Sequence, residues 1–320
     1  MARSTESQTS SSVLMIRPVR FQSNPQTAQS NRFQQQDHSS SDDGIHETAL
    51  AEFENFVATL EAVGIDVVVF DDTLEPHTPD SIFPNNWLSM HADGTAVLYP
   101  MMASNRRPER RADILGSLSS DHGFRIEQTV DLSSFEADEK YLEGTGSMVL
   151  DRANHIAYAC LSARTDADLL GEFARRMDYE LVVFDATGED GAAIYHTNVM
   201  LCIGVDFAVI CSASIKEEQR RAVLDKLRST GHEAVDISHA QMARFAGNML
   251  ELKSANGGRI LTMSSQALNS LTAEQRKTLS NRAHIVAASI DSIEKSSGGS
   301  VRCMLAEIHL PRKPGSQDSE

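Results

Sequence analysis

Apolar and polar positions along the chain repeat one phrase. Two short apolar runs flank a polar turn, an amphipathic stretch follows, and a third short apolar run closes the unit. Trp87-Leu88-Ser89-Met90, a His-Ala-Asp-Gly turn and residues 96–99 predict a hairpin, followed by a helix over 107–119 and a strand over 124–126. A second copy has strands at 148–150 and 156–160, a helix over 166–177 capped by Thr165, and a strand at 181–184. A third has strands at 199–203 and 207–211, a helix over 215–227 and a strand at 233–237. A fourth, weaker copy has strands at 249–252 and 259–263 with helical stretches after them. A strand at 13–16, a helix over 46–63 and a strand at 66–70 supply most of a fifth, which residues 303–310 would complete.

Units of roughly fifty to sixty residues are each too small to bury their own apolar face, so neighbours must cover it, which predicts a closed radial arrangement. Alternating strands and helices give an α/β class. A doubly wound sheet is the competing architecture. It loses support because neither GxGxxG after a strand nor GxxxxGK[ST] occurs.

Composition narrows the function. The 320 residues are long for one simple core, and 41% hydrophobic with 23% charged content is ordinary for a globular chain. The net charge of −16 argues against nucleic acid and anionic membrane as partners, but leaves a small zwitterionic substrate open. No apolar run is long enough to span a bilayer. The Ser/Thr-rich residues 1–12 lack a hydrophobic secretory core and read as a disordered tail. Residues 13–310 read as one catalytic domain, and the polar 311–320 as a frayed tail. Cys160, Cys202, Cys211 and Cys303 form no CxxC pair, which fits a reducing cytoplasm better than a disulfide framework.

Four motifs carry candidate chemistry. Ser297-Gly298-Gly299-Ser300 runs into Cys303 at the mouth of the predicted terminal strand, a setting that can present a nucleophile beneath a lid. The others are Phe83-Pro84-Asn85-Asn86-Trp87 with Asp80 before it, Glu143-Gly144-Thr145-Gly146-Ser147, and Tyr195-His196-Thr197-Asn198. Singly, Cys303 reads as a buried small hydrophobe, Glu143 as a surface turn carboxylate and His196 as a hydrogen-bonded core histidine. Together they sit at the entry to successive hairpins. A radial assembly would turn those entries toward one central pocket, where a thiolate could attack an electron-poor carbon with His196 as acid and base.

This motif set resembles the guanidine-modifying (pentein) superfamily, and more narrowly its amidinotransferase-like citrulline-utilisation hydrolases, over nearly the whole chain from Met15-Ile16-Arg17-Pro18 to Glu307. The resemblance implies a five-bladed α/β propeller of ββαβ-type repeats and a site with neither metal nor cofactor. It implies Cys303 as nucleophile, His196 as acid/base and Glu143 as its carboxylate partner. Asp80 would hold a substrate α-amino group, and Arg106 (or its neighbour Arg107) and Arg152 the α-carboxylate.

Deiminases of the superfamily carry carboxylates where this chain has Asn85-Asn86, and often His-x-Asp where it has His196-Thr197-Asn198. A carboxylate only accepts, as a guanidinium requires, whereas an amide both donates and accepts, as a ureido group requires. The expected reaction is therefore citrulline hydrolysis to ornithine, CO2 and ammonia through a Cys-carbamoyl intermediate, with Asn86 and Asn198 gripping the ureido head. Arginine or succinylarginine dihydrolase, arginine deiminase and amidinotransferase are the near alternatives. A non-catalytic binding propeller is the distant one, and a homo-oligomer is compatible with all of them.

Overall fold

The middle strand of each sheet is buried along most or all of its length, and the exposed positions gather on the outer parallel strand. The computed structural model describes residues 6–28, 30–34 and 42–314. β1 (Ser12–Arg17) runs parallel to β2 (Asp66–Asp71), connected by the crossover helix α1 (Asp42–Ala62). β3 (Leu88–Met90) turns into the antiparallel β4 (Thr95–Leu98), and α2 (Ala112–Ser120) crosses over to β5 (Gln128–Asp131), parallel to β4. A single helical turn, α3 (Gly144–Ser147), opens the next unit of β6 (Val149–Asp151), β7 (Ile156–Cys160), α4 (Ala167–Met177) and β8 (Glu180–Phe184). Then come β9 (Leu201–Ile203), β10 (Phe207–Ile210), α5 (Glu217–Ser229) and β11 (Glu233–Asp236). After the short α6 (His239–Met242), β12 (Leu250–Lys253) pairs with β13 (Arg259–Ser264), and α7 (Ser265–Ser270) and α8 (Ala273–Ser280) lead to β14 (His284–Ala288). α9 (Asp291–Ser297) precedes β15 (Ala306–Glu307).

The result is an α/β chain of five three-stranded sheets, each an antiparallel pair extended by a parallel strand. β15 lies antiparallel to β1, so the last strand completes the first sheet, with Val13 opposite Glu307. Neighbouring sheets touch through their first strands: β15 lies against β3, β6 against β9, and β9 against β12. The backbone N–H of Lys253 donates to Ser10 O, tying the fifth sheet to the residues before β1. Residue chemistry follows position. β7 is buried throughout, whereas the outer β11, Glu-Ala-Val-Asp, buries only Val235.

α4 illustrates the helices. Leu169, Leu170, Phe173 and Met177 fall on one buried face, each contributing about 1.5–3 kcal/mol of apolar burial. The cap is Asp166 rather than the expected Thr165, because its carboxylate accepts from the N–H groups of Asp168 and Leu169.

Other expectations shift for local reasons. The helix expected over 107–119 begins as a 3₁₀ turn, Ser104–Glu109, with Pro108 inside it, and only then becomes α2. The strand expected at 124–126 is β5 instead, and Phe124 makes only an isolated bridge to Arg312. Residues 6–12 are no tail: Glu6 and Ser10 are buried, and Gln8 donates to the carbonyls of Leu150 and Ile203. Residues 311–314 are tied down as well, since Arg125 N–H donates to Pro311 O. Residues 1–5 and 315–320 lie outside the described residues. No described helix is long and apolar enough to cross a membrane.

Candidate active site

Each sheet's first strand is preceded by a tight turn, and these turns meet. The 3₁₀ turn Pro84–Asn86 leads into β3, α3 into β6, Thr197–Val199 into β9 and Val301–Met304 into β15. α3 lies against the first and second of these 3₁₀ turns, and the first also lies against Val301–Met304. Cys303 therefore sits on a 3₁₀ turn, not at the start of a strand as expected. Its N–H donates to Ser300 O at 2.9 Å.

The glycines of the Glu143-Gly-Thr-Gly-Ser motif allow the close approach. Gly144 adopts φ +47°, and a Cβ there would collide with the Asn85 carbonyl. A Cβ on Gly146 would meet the Asn86 amide and come within 2.7 Å of His196 Nδ1. Ser147 Oγ accepts from Glu143 N–H at 2.9 Å and donates to Arg164 O at 2.7 Å. Thr197 Oγ1 donates to Ser147 O at 2.6 Å and accepts from Cys160 N–H at 2.8 Å, which clamps the histidine turn onto α3 and β7.

His196 Nε2 lies 2.9 Å from Glu143 Oε2, with both side chains buried. Burial pushes the imidazole pKa down to about 4 although the Glu143 contact pulls the other way, so the ring is neutral at pH 7. Burial alone would raise the Glu143 carboxyl. The Arg164 and Arg106 guanidiniums and the hydrogen bond to His196 instead hold it well below the usual carboxylate range. Glu143 Oε1 also accepts from Met102 N–H at 3.0 Å.

Asp80, Asn86, Arg106, His196 and Cys303 line one cavity, joined by Arg164, Tyr195, Thr27 and Asn31. Its free volume is about 20 Å³, room for one water. Asn31 Nδ2 donates to Ser297 O and Tyr195 Oη to Gly298 O, each at 2.8 Å, so an N-terminal strap and the glycine loop roof it over. Asn198 Nδ2 donates to Cys303 Sγ at 3.4 Å.

Arg106 reaches the cavity, but its Nε and NH2 each donate to the Glu109 carboxylate at 2.9 Å and its NH1 to Asn86 Oδ1 at 2.9 Å. Because a guanidinium has only donors, Asn86 must turn its oxygen to Arg106, which leaves Nδ2 without a partner. Asn198 Oδ1 and Asp80 Oδ1 are likewise buried and unpartnered. Asp80 Oδ2 accepts from Asn24 Nδ2 at 2.7 Å.

Arg152 is a correction. It lies outside the cavity, in a buried ionic network with Glu6 at 2.9 Å and Glu307 at 3.6 Å. Asn85 is also outside: its side chain is buried without partners, and only its carbonyl faces the motif, accepting from Thr145 Oγ1 at 3.4 Å. The arginine present instead is Arg164. It is 3.4 Å from Glu143 and 5.0 Å from the Tyr195 ring centroid, and it donates to Ser30 Oγ at 2.6 Å. No motif marks Arg164. Asn248 lies in none of the four motifs either, although Asn248-Met249-Leu250 aligns with Cys303-Met304-Leu305 and Asn86-Trp87-Leu88 as the lead into a first strand.

The architecture has known counterparts. ArgZ, an arginine dihydrolase from the ornithine–ammonia cycle in cyanobacteria, superposes with a TM-score of 0.70 at 17% identity, covering 96% of this chain and 42% of ArgZ. AgrE in complex with L-arginine gives 0.72 at 16% identity, covering 95% of this chain and 41% of AgrE. A dimethylarginine dimethylaminohydrolase carrying an S-methyl-L-thiocitrulline adduct gives 0.61 at 12% identity, covering 93% of this chain and 99% of that one. The chain thus spans about two fifths of full-length ArgZ and AgrE, and likeness at these identities establishes the fold. Comparison with curated protein sequences finds no match. A family model described as N,N dimethylarginine dimethylhydrolase, eukaryotic, matches residues 17–310. With that match across its length, the chain belongs to the N,N dimethylarginine dimethylhydrolase family, within the guanidine-modifying superfamily that its motifs resemble.

Proposed function

We propose that the chain is a cysteine-dependent hydrolase acting on the C–N bonds of a linear ureido or guanidino amino acid, with citrulline the substrate its head-group site fits best. The observation that carries the choice is the orientation of Asn86. With its oxygen held by Arg106, Asn86 offers a free donor, while Asn198 offers a free acceptor. One donor and one acceptor complement a C=O and an NH2, the two ends of a ureido head.

In this reading Asp80 Oδ1 receives the α-ammonium and Arg164 takes the α-carboxylate, releasing Ser30 as it does so. Neutral His196 takes the Cys303 proton. The thiolate attacks the ureido carbon, and Asn86 Nδ2 meets the charge developing on the ureido oxygen. The C–Nδ bond breaks as His196 returns its proton to that nitrogen, so ornithine leaves and a carbamoyl thioester remains. Water activated by His196 then cleaves the thioester to carbamate, which decays to CO2 and ammonia.

A second reading, arginine dihydrolase, is favoured by the unpartnered acceptors of Asp80 and Asn198 and by the name of ArgZ. Closure of the five sheets into a five-bladed propeller belongs to the proposal and is supported by the contacts between successive first strands. A cytoplasmic setting is supported by four unpaired buried cysteines. Self-association is checked by light scattering.

The test is a product assay with citrulline and with arginine, quantifying ornithine, citrulline and ammonia. Ornithine from citrulline, abolished in Cys303→Ala, is the expected result. Citrulline accumulating from arginine would make the protein a deiminase, and turnover surviving in Cys303→Ala would overturn the mechanism.

A further inference from the structure

The fourth sheet-leading turn, residues 243–249, is the one the proposed chemistry does not use, and it is built under strain. Phe245 adopts φ +60°, unusual for a bulky residue, with its ring packed 5.4 Å from Phe33. Gly247 sits so close to the Thr197–Val199 turn that a Cβ would collide with Val199 O. Asn248 N–H then bonds to Phe245 O at 2.8 Å, and the side chain of Asn248 is wholly buried.

That side chain points at the sulfur. Asn248 Nδ2 donates to Cys303 Sγ at 3.4 Å and to Asn198 O at 2.9 Å. Its Oδ1 accepts from Arg302 N–H at 3.0 Å and lies 3.7 Å from Sγ, within reach of the thiol proton. The Arg302 bond holds the amide so that its nitrogen faces both Asn198 and the sulfur. With Asn198 Nδ2 also at 3.4 Å, two amide donors converge on one sulfur atom.

We infer that Asn248 is a further catalytic residue, which with Asn198 forms a two-amide cradle for the Cys303 thiolate. The inference rests on Cys303 being the nucleophile. Asn248 accepts from the neutral thiol through Oδ1 and donates to the anion through Nδ2. It therefore has a partner for the sulfur before the proton leaves, and again when the thioester collapses and the thiolate departs. Donors to an anionic sulfur lower the cost of forming it.

The experiment is alkylation of Cys303 by iodoacetamide, followed by peptide mass spectrometry in the wild type and in Asn248→Asp. The aspartate keeps the shape and the acceptor for Arg302 but replaces the donor with an oxygen. The rate at pH 7 is expected to fall about tenfold or more, and the alkylation-versus-pH curve to move to higher pH, with the melting temperature marking an intact fold. Because the aspartate's own charge also repels a thiolate, the neutral Asn248→Ser is run beside it, and there a purely structural role would leave the curve in place. If Asn248→Asp does not fold, Asn248→Ser, shorter and neutral, gives the same readout. Alkylation at the wild-type rate and with the wild-type pH curve overturns the inference. The nucleophile reading fails separately, if Cys303→Ser still turns substrate over.

Discussion

His196 Nε2 and Glu143 Oε2 stand 2.9 Å apart with both side chains buried, and the imidazole there holds a second proton only below about pH 4. A histidine in water is already half charged at 6.5. The acid limb of kcat/KM is therefore expected to be flat from pH 7 to 5 and to fall only toward 4. The linked stability has the same sign: a depressed histidine favours the fold above 6.5, and that contribution is lost as pH falls toward 4. A pH–rate profile with its acid limb centred near 6.5 would contradict the neutral, buried base.

Asn86→Asp retains one oxygen for Arg106 and turns a second toward the cavity, where the wild type has a donor. A cationic head gains a charge-assisted bond and a ureido oxygen loses its partner. The ratio of kcat/KM for arginine to that for citrulline should rise at least about tenfold. Steady-state kinetics on both substrates decides it, and an unchanged ratio would remove Asn86 from the head-group site.

Gly146→Ala places a methyl against the Asn86 amide and 2.7 Å from His196 Nδ1. The expected outcome is a folded protein whose kcat drops about a hundredfold, because displacing a positioned group by an ångström is enough to lose that much. Circular dichroism and the melting temperature verify the fold, while activity within a factor of two of wild type would show the turn to be more compliant than its packing implies.

Glu6 joins Arg152 at 2.9 Å and the Tyr179 hydroxyl at 3.0 Å, deep between sheets. Burial works against its charge, yet Arg152, His91 and His309 bring the Glu6 carboxyl down to about 2. Its stabilisation is present above the unfolded value of 4.5 and is lost as pH falls from there toward 2. Glu6→Ala should cost about 3–5 kcal/mol, lowering Tm by several degrees, as should deletion of residues 2–10. Differential scanning calorimetry measures both, and a wild-type Tm in either would contradict the network.

The repeat and the sheet class are legible because alternation and turn residues are local properties, whereas the roles of Cys303, His196, Asp80 and Asn86 are legible only through the resemblance of their motifs to the guanidine-modifying superfamily. Partner choice is not local. Arg106, Arg152 and Arg164 look alike in sequence, and only the positions of Glu109, Glu6 and Glu143 decide which arginine is confined to the interior and which faces the cavity. Glu6 is hidden by its serine-rich neighbours, whose small side chains suit a disordered tail and a tightly packed segment equally well. Asn248 is legible only once all five strand-leading turns are aligned, since the strain at Phe245 leaves no mark in composition.

The pairing of β1 with β15 has a consequence for biosynthesis. The apolar Ser-Val-Leu-Met-Ile-Arg strand leaves the ribosome about 290 residues ahead of its antiparallel neighbour at Ala306–Glu307. At about 5–20 residues per second the strand's edge waits tens of seconds unprotected, a template for wrong pairing. The strand that ends the wait follows directly on the turn bearing Cys303, so a nascent chain stalled before that turn has both an open edge and no Cys303.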